Sequence, residues 1–388
     1  MTSSIIVFTD KKSGEEAGQA LGAEIKLKMG DKIPQVVILF ASSVYDFPAL
    51  LKTLKRECKP EILVGSSSAG EFTSNDFGTD SACAIALHST EMKFSAGLGT
   101  GIKESRSKVV DELFNRLEDL ENAQYQYRSA MIFADALSGY TDEIIDLLTE
   151  KTAGTYQFFG GGAGDNANFK RTHVFLDEEA VTDSAVILEI LSNKPLGIGV
   201  SHGWTPAGPK MRVTEAEGMR LISINGKSAI EVVADYAEKT NQDFDVSNPV
   251  PFFLHNVIGI EMSDGYKLRV PLVINDDGSL ILASDIANGS YISFMSTDAD
   301  SARKAALTAT NTALMQLDGN KPNVALFFDC VATRLRLGKD FGFELNQVKD
   351  TLNEINYAGC NTYGQVARVN GQFNGFHNCT AVVCVIPE

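Results

Sequence analysis

Three unbroken apolar runs, widely spaced along the chain, each open the same succession of patterns. VVILFASS precedes the amphipathic stretch DFPALLKTLKREC and then EILVGSSSAGEF, where Gly65 and Gly70 bracket a turn. AMIFADA precedes YTDEIIDLLTEK and TYQFFGGGAGDN, and NVALFFDC precedes FGFELNQVKDTLNE and INYAGCNTYGQVA. Continuous apolar runs suit strands covered on both faces, and apolar residues three or four apart (Leu50, Leu51 and Leu54; Ile144, Ile145, Leu147 and Leu148) suit helices lying on a sheet. Each set predicts a strand, a crossover helix and a second, parallel strand, with a right-handed connection. A further apolar run follows each turn: CAIALHS after Asp80-Ser81, SAVILEI after Asp183-Ser184, and TAVVCVI after Asn378-Cys379-Thr380. Recurrence of whole units predicts a duplicated scaffold.

Between the second and third units the pattern changes. GIGVSHGWTPAGPKMRVTEAEGMRLISINGKSAIEVV reads as a strand, a loop, a hairpin turned by Asn225-Gly226 and a helix from about Ser228. PVPFFLHNVIGIEM, YKLRVPLVIN, GSLILASDI and SYISFMST read as short strands of an antiparallel meander divided by Asp-Gly, Asp-Asp-Gly and Asn-Gly turns, and SARKAALTATNTALMQL as a helix. The fold class expected is α/β in the mixed α+β sense, with mixed sheets flanked by helices. Two domains are expected, 20–220 holding two repeat units and 221–388 holding the meander and the third.

Composition narrows the class of partner. The 388 residues are 44% hydrophobic and 22% charged, as in ordinary globular proteins, and the net charge is -16. That charge repels phosphate backbones and anionic lipid, so neither nucleic acid nor membrane is expected as a partner. The N-terminus lacks an export signal and no segment approaches a membrane span, so a cytoplasmic location is expected. Six cysteines without paired spacing read as reduced thiols rather than a zinc or disulfide framework.

Candidate chemistry gathers at the strand ends. Ligands of open parallel sheets sit beyond the carboxyl ends of strands, which here carry Ser42, Asp135 and Cys330. The turns add Ser66, Ser67, Ser68, Gly70, Gly162, Gly164, Asp165 and Tyr363, and Asn378 stands at the mouth of the last strand. Such a rim suits a small polar ligand such as an amino acid. Gly162 to Ala167 matches GxGxxA, but no helix is expected after it, and GSSSAG lacks the final glycine spacing of a nucleophile elbow. His202, beside the sole tryptophan Trp204, and His377 could each ligate a haem iron or bond a ligand carboxylate, or be satisfied internally. Arg334, four residues after Cys330, either faces an anion or is a solvated charge. An enzyme working through Cys330 with His377, or through the serine turn, is the competing class.

Together ILVGSSSAGEF, FFGGGAGD, VSHGWTPAGPKMRVTEAEGMRLISINGKSAIEVV and DCVATR, GCNTYGQVA and FHNCTAVV, in that order, resemble the FIST sensory proteins, with an N-terminal and a C-terminal FIST domain. The resemblance implies a non-enzymatic bacterial sensor of small molecules reporting to a separate histidine kinase or cyclic-di-GMP enzyme, since no effector segment is expected in this chain. One branch resembles haem-based nitric-oxide sensors, which would require haem on His202 or His377. A homodimer is compatible with this reading. Family members often carry Glu after the last glycine of the C-terminal turn, where this chain has Gln365.

Overall fold

In the computed structural model, which describes residues 1–122, 124–263, 265–369 and 375–388, each apolar run is a central strand with one parallel and one antiparallel neighbour. Val36–Ser42 pairs in parallel with Ile62–Ser68 across the helix Phe47–Cys58, and antiparallel with Ala82–Ser89. Tyr127–Ala134 repeats this with Gln157–Gly162 and Ser184–Ser192 around the helix Thr141–Lys151. Pro322–Cys330 repeats it with Tyr357–Thr362 and Ala381–Pro387, around the helices Val331–Leu337 and Phe341–Leu352.

Each unit begins earlier than the apolar runs indicate. A leading strand pairs antiparallel with the trailing one and passes into a helix: Thr2–Thr9 with Gly14–Met29, Met92–Thr100 with Arg106–Phe114, and Gly197–Ser201 with Ala299–Met315. Thr2–Thr9 and Met92–Thr100 lie at sheet edges and are only partly buried, so they lack the continuous apolar signature. In the third unit the meander lies between the leading strand and its helix, so this sheet is an insertion within that unit. Residues 220 and 221 are neighbours in one of its strands, Arg220–Ile224. Its hairpin turns at Asn225 and Gly226, both with positive φ, and the helix Ala229–Lys239 starts from a Ser228–Glu231 capping box. The segment PVPFF, expected as strand, is instead the helical turn Val250–Phe253, with proline placed where the first N–H needs no partner. Asp264, of the expected Asp-Gly turn, lies outside the described residues.

The units exchange their turns. Past its glycine turn, the first unit contributes Glu71–Thr73 to the edge of Tyr357–Thr362 in the third. The second contributes Val174–Leu176 to Ile62–Ser68 in the first, and the third contributes Gln365–Arg368 to Gln157–Gly162 in the second. Among the described residues this gives three mixed sheets of six strands, beside a nine-stranded antiparallel sheet in the insertion. Phe40, Phe133 and Phe328, at matching positions of the three central strands, meet pairwise edge to face at 5.5 to 5.7 Å between centroids. They mark an approximate three-fold axis through the shared core. Gly65, Gly160 and Gly359 also match: a Cβ on them would stand 1.9, 2.1 and 1.7 Å from the carbonyl oxygens of Leu39, Ile132 and Phe327. Only glycine lets the paired strand come so close.

Candidate functional site at the axial strand ends

Two residues beyond each axial phenylalanine stand Ser42, Asp135 and Cys330, so the three expected strand ends occupy equivalent places about the axis. Their surroundings differ. Ser42 Oγ accepts from Asn166 Nδ2 at 2.9 Å, an amide that also reaches Asp80. Asp135 accepts from the Leu137 N–H, the Thr172 hydroxyl and the Asp183 N–H, so its carboxylate has a structural role. Asp165 likewise gathers the N–H groups of Phe169, Lys170 and Arg171 together with the Tyr363 hydroxyl, which fixes the loop that the dinucleotide reading would have made a helix.

The serine turn is equally occupied in part. Ser67 exchanges hydrogen bonds with the His173 backbone, and Ser68 donates to Glu71 at 2.5 Å. Ser66 is fully buried, and its hydroxyl has no hydrogen-bond partner among the described residues. Glu71, absent from the expected site, also accepts from the Ser81 hydroxyl at 2.7 Å, and burial pushes its carboxyl up to about 7. Gly70, Gly162 and Gly164 are contact points between turns. A side chain on them would strike Asn361, the Tyr363 backbone and Ala69 respectively.

The third strand end opens instead onto a cavity of about 260 Å3 between its unit and the inserted sheet. Cys330, Tyr363 and Asn378 line it, joined by Val331, Ala332 and Leu335 of the helix after Cys330. The second unit adds Leu137 and Phe169, whose ring stacks on Tyr363 at 4.6 Å. The insertion adds Val250, Phe253, Leu254, Leu272, Val273 and Ala283. Phe169, Val250, Val273 and Leu335 remain exposed at its mouth. The expected polar rim is thus apolar where it is open, because most of its hydroxyls and carboxylates bond one another. The insertion residues were missed in the sequence because short alternating strands give no hint of what they face.

Cys330 itself is set among donors. The Cys379 thiol, the N–H groups of Cys379 and Ala332 and the Gln365 side chain all stabilise its thiolate, which outweighs burial and brings the thiol down to about 6. Behind it, Asp329 and Glu344 are buried beside Arg336 around a space of about 10 Å3. Burial raises both carboxyls, Glu344 to about 8. Arg334 is partly buried with an Nε that has no hydrogen-bond partner among the described residues, and it lies near Gly70 rather than in the cavity lining.

Trp204 packs in one apolar cluster with Cys330, Ala332, Val270 and Cys379, and Arg336 lies 5.6 Å over its ring. His202 Nε2 meets the Tyr266 carbonyl at 3.0 Å and its Nδ1 accepts from the Trp204 N–H at 3.2 Å, so both ring nitrogens are engaged. His377 is buried, and burial with the nearby Lys267 lowers it to about 3. Neither imidazole lines the apolar cavity, so the histidines do not fit an axial haem ligand there.

Comparison with known proteins agrees with this architecture at the level of family. Residues 35–227 match the FIST N domain and residues 229–368 the FIST C domain. An uncharacterized protein of Methanocaldococcus jannaschii is 22% identical over 319 residues, covering 76% of this chain and 60% of that protein, so the chain spans less than two thirds of that relative's length. Among solved structures, cyanuric acid hydrolase from A. caulinodans aligns over 99% of both chains with a TM-score of 0.34 and 7% identity. T. maritima PurL complexed with AMPPCP aligns over 99% of this chain and 72% of that one, with a TM-score of 0.23 and 11% identity. Likenesses this faint carry no argument. The two domain matches cover most of the chain, which therefore belongs to the FIST family of sensory domains in signal transduction.

Proposed function

We propose that this FIST protein senses a small apolar or aromatic molecule held in the cavity between the third repeat unit and the inserted sheet. Its output would pass to a separate signalling protein, a histidine kinase or cyclic-di-GMP enzyme being the partners the family suggests. The observation that carries the reading is the cavity lining: apolar side chains on nearly every side, with Tyr363, Asn378 and Cys330 as the few polar groups able to orient a ligand. Among the described residues the lining includes no histidine or carboxylate, which a Cys-His or serine hydrolase would need as a base beside its nucleophile. Among the described residues it also includes no charged group to meet the ends of a free amino acid. Because the walls belong to two parts of the chain, a bound ligand would bias how the insertion sits on the repeat core, and this supplies a signal.

The test is thermal shift and Trp204 fluorescence with small aromatic alcohols, cinnamyl alcohol first, against a panel of amino acids. Ligand at about 100 times its dissociation constant should stabilise the fold by roughly 2.7 kcal/mol and change the emission of Trp204, which packs against the cavity wall. Ala332→Trp, which fills the cavity, should abolish both effects. A shift with an amino acid and none with any aromatic compound would overturn the proposal.

A further inference from the structure

Cys330 and Cys379 stand where the other two units carry no sulfur. Ser42 and Asp135 occupy the place of Cys330, and Asp80 and Asp183 that of Cys379, each just before the serine or threonine that leads into the trailing strand. In the first unit these two positions share the Asn166 amide, and in the second the Asp183 N–H bonds Asp135. In the third unit, the one facing the cavity, both are cysteine and both pack in one apolar cluster. Cys330 is 3% exposed and meets the apolar cavity, whereas Cys58, Cys83, Cys360 and Cys384 are buried away from it. A thiol that lines an apolar chamber with a second thiol packed beside it selects soft, uncharged carbon electrophiles small enough to enter.

We propose that Cys330 is a covalent capture site for small apolar α,β-unsaturated carbonyl compounds, with Cys379 as the residue that positions and stabilises its thiolate. The inference rests on the reading of the cavity as the ligand site. In the step, the Cys330 sulfur forms a bond to the β-carbon as the carbon–carbon π bond breaks and its electron pair moves into the carbonyl-conjugated system. The proton given up by the thiol is restored from water at the α-carbon. The product is a saturated thioether, and nothing leaves. The charged groups around the sulfur are Arg336 on its own helix, Asp329 on its strand and Glu344 on the following helix. Burial favours the protonated form of both carboxyls, so neither opposes the thiolate near neutral pH.

The experiment treats the folded protein at pH 7 with cinnamaldehyde and, separately, N-phenylmaleimide, then reads intact mass and modified peptides. One adduct per chain on Cys330 is expected, lost in Cys330→Ser with that variant still folded by circular dichroism, while the native protein binds cinnamyl alcohol by thermal shift. The labelling rate of the native protein should fall as pH drops through about 6. In Cys379→Ala that midpoint should rise toward the ordinary thiol range near 8.5, a change a purely structural role would not produce. Native protein that stays unlabelled at Cys330, or labelling that is unchanged in Cys330→Ser, overturns the proposal. If cinnamyl alcohol binds and cinnamaldehyde does not label, only the covalent step falls. If neither compound acts on native protein or variant, the cavity reading falls with it.

Discussion

Glu71 and Gln365 hold the same position in two units, each three residues after the hydroxyl that ends its strand, Ser68 or Thr362. Gln365 donates to Thr362 at 2.8 Å and accepts from the Thr380 N–H, while Glu71 takes two serine hydroxyls and has the Arg334 charge nearby. A carboxyl whose pKa rises from an ordinary 4.5 to about 7 on folding holds its proton more tightly in the native state. Stability therefore falls as pH rises through that window, by roughly 3 kcal/mol in all. Glu71→Gln should flatten this part of the stability profile and make the protein more stable at pH 8 by about 1 to 3 kcal/mol, with no gain at pH 5, as chemical denaturation at the two pH values will show. Little of this was legible in the sequence. The strand ends Ser42, Asp135 and Cys330 could be placed from the apolar runs, but whether a polar residue there meets a ligand or a neighbouring unit depends on contacts more than a hundred residues away, such as Asn166 on Ser42.

At the scale of elements the apolar runs were reliable guides, because a strand covered on both faces tolerates few polar residues. The edge strands Thr2–Thr9 and Met92–Thr100 escaped for the same reason reversed, being half exposed. Turn glycines were seen, yet their purpose was not. Gly65, Gly160 and Gly359 are fixed by the approach of a neighbouring carbonyl, not by the shape of the turn. Ala at any of these three should cost more than about 3 kcal/mol or prevent folding, since backbone must move to admit a methyl group. Gly218→Ala, at a hairpin turn with open space around it, should cost only about 1 kcal/mol. Thermal melts of the four variants provide the comparison.

For the whole molecule the sequence revealed three repeats and a foreign segment, but not how they join. The inserted sheet is tied to the second unit by Asp142, which takes Arg269 at 2.7 Å, Lys267 at 3.0 Å and the Phe376 N–H at 2.9 Å. Arg269 is almost fully buried, so Asp142→Ala should cost about 3 to 5 kcal/mol by removing its close carboxylate partner and leaving only Asp285 at 3.8 Å. Hydrogen exchange should then quicken first in Val257–Met262 and Gly265–Arg269, ahead of the central strands. The exchange of hairpins has a different consequence. First lends to third, second to first and third to second, so the chain behaves as a cyclic trimer whose protomers have been spliced head to tail. Such a ring closes at three, because each lent strand already has its receiving strand. A true homotrimer would have to carry the same residue at all three axial places. Splicing lifts that obligation, which is why serine, aspartate and cysteine can stand in equivalent positions and only one of them face the cavity.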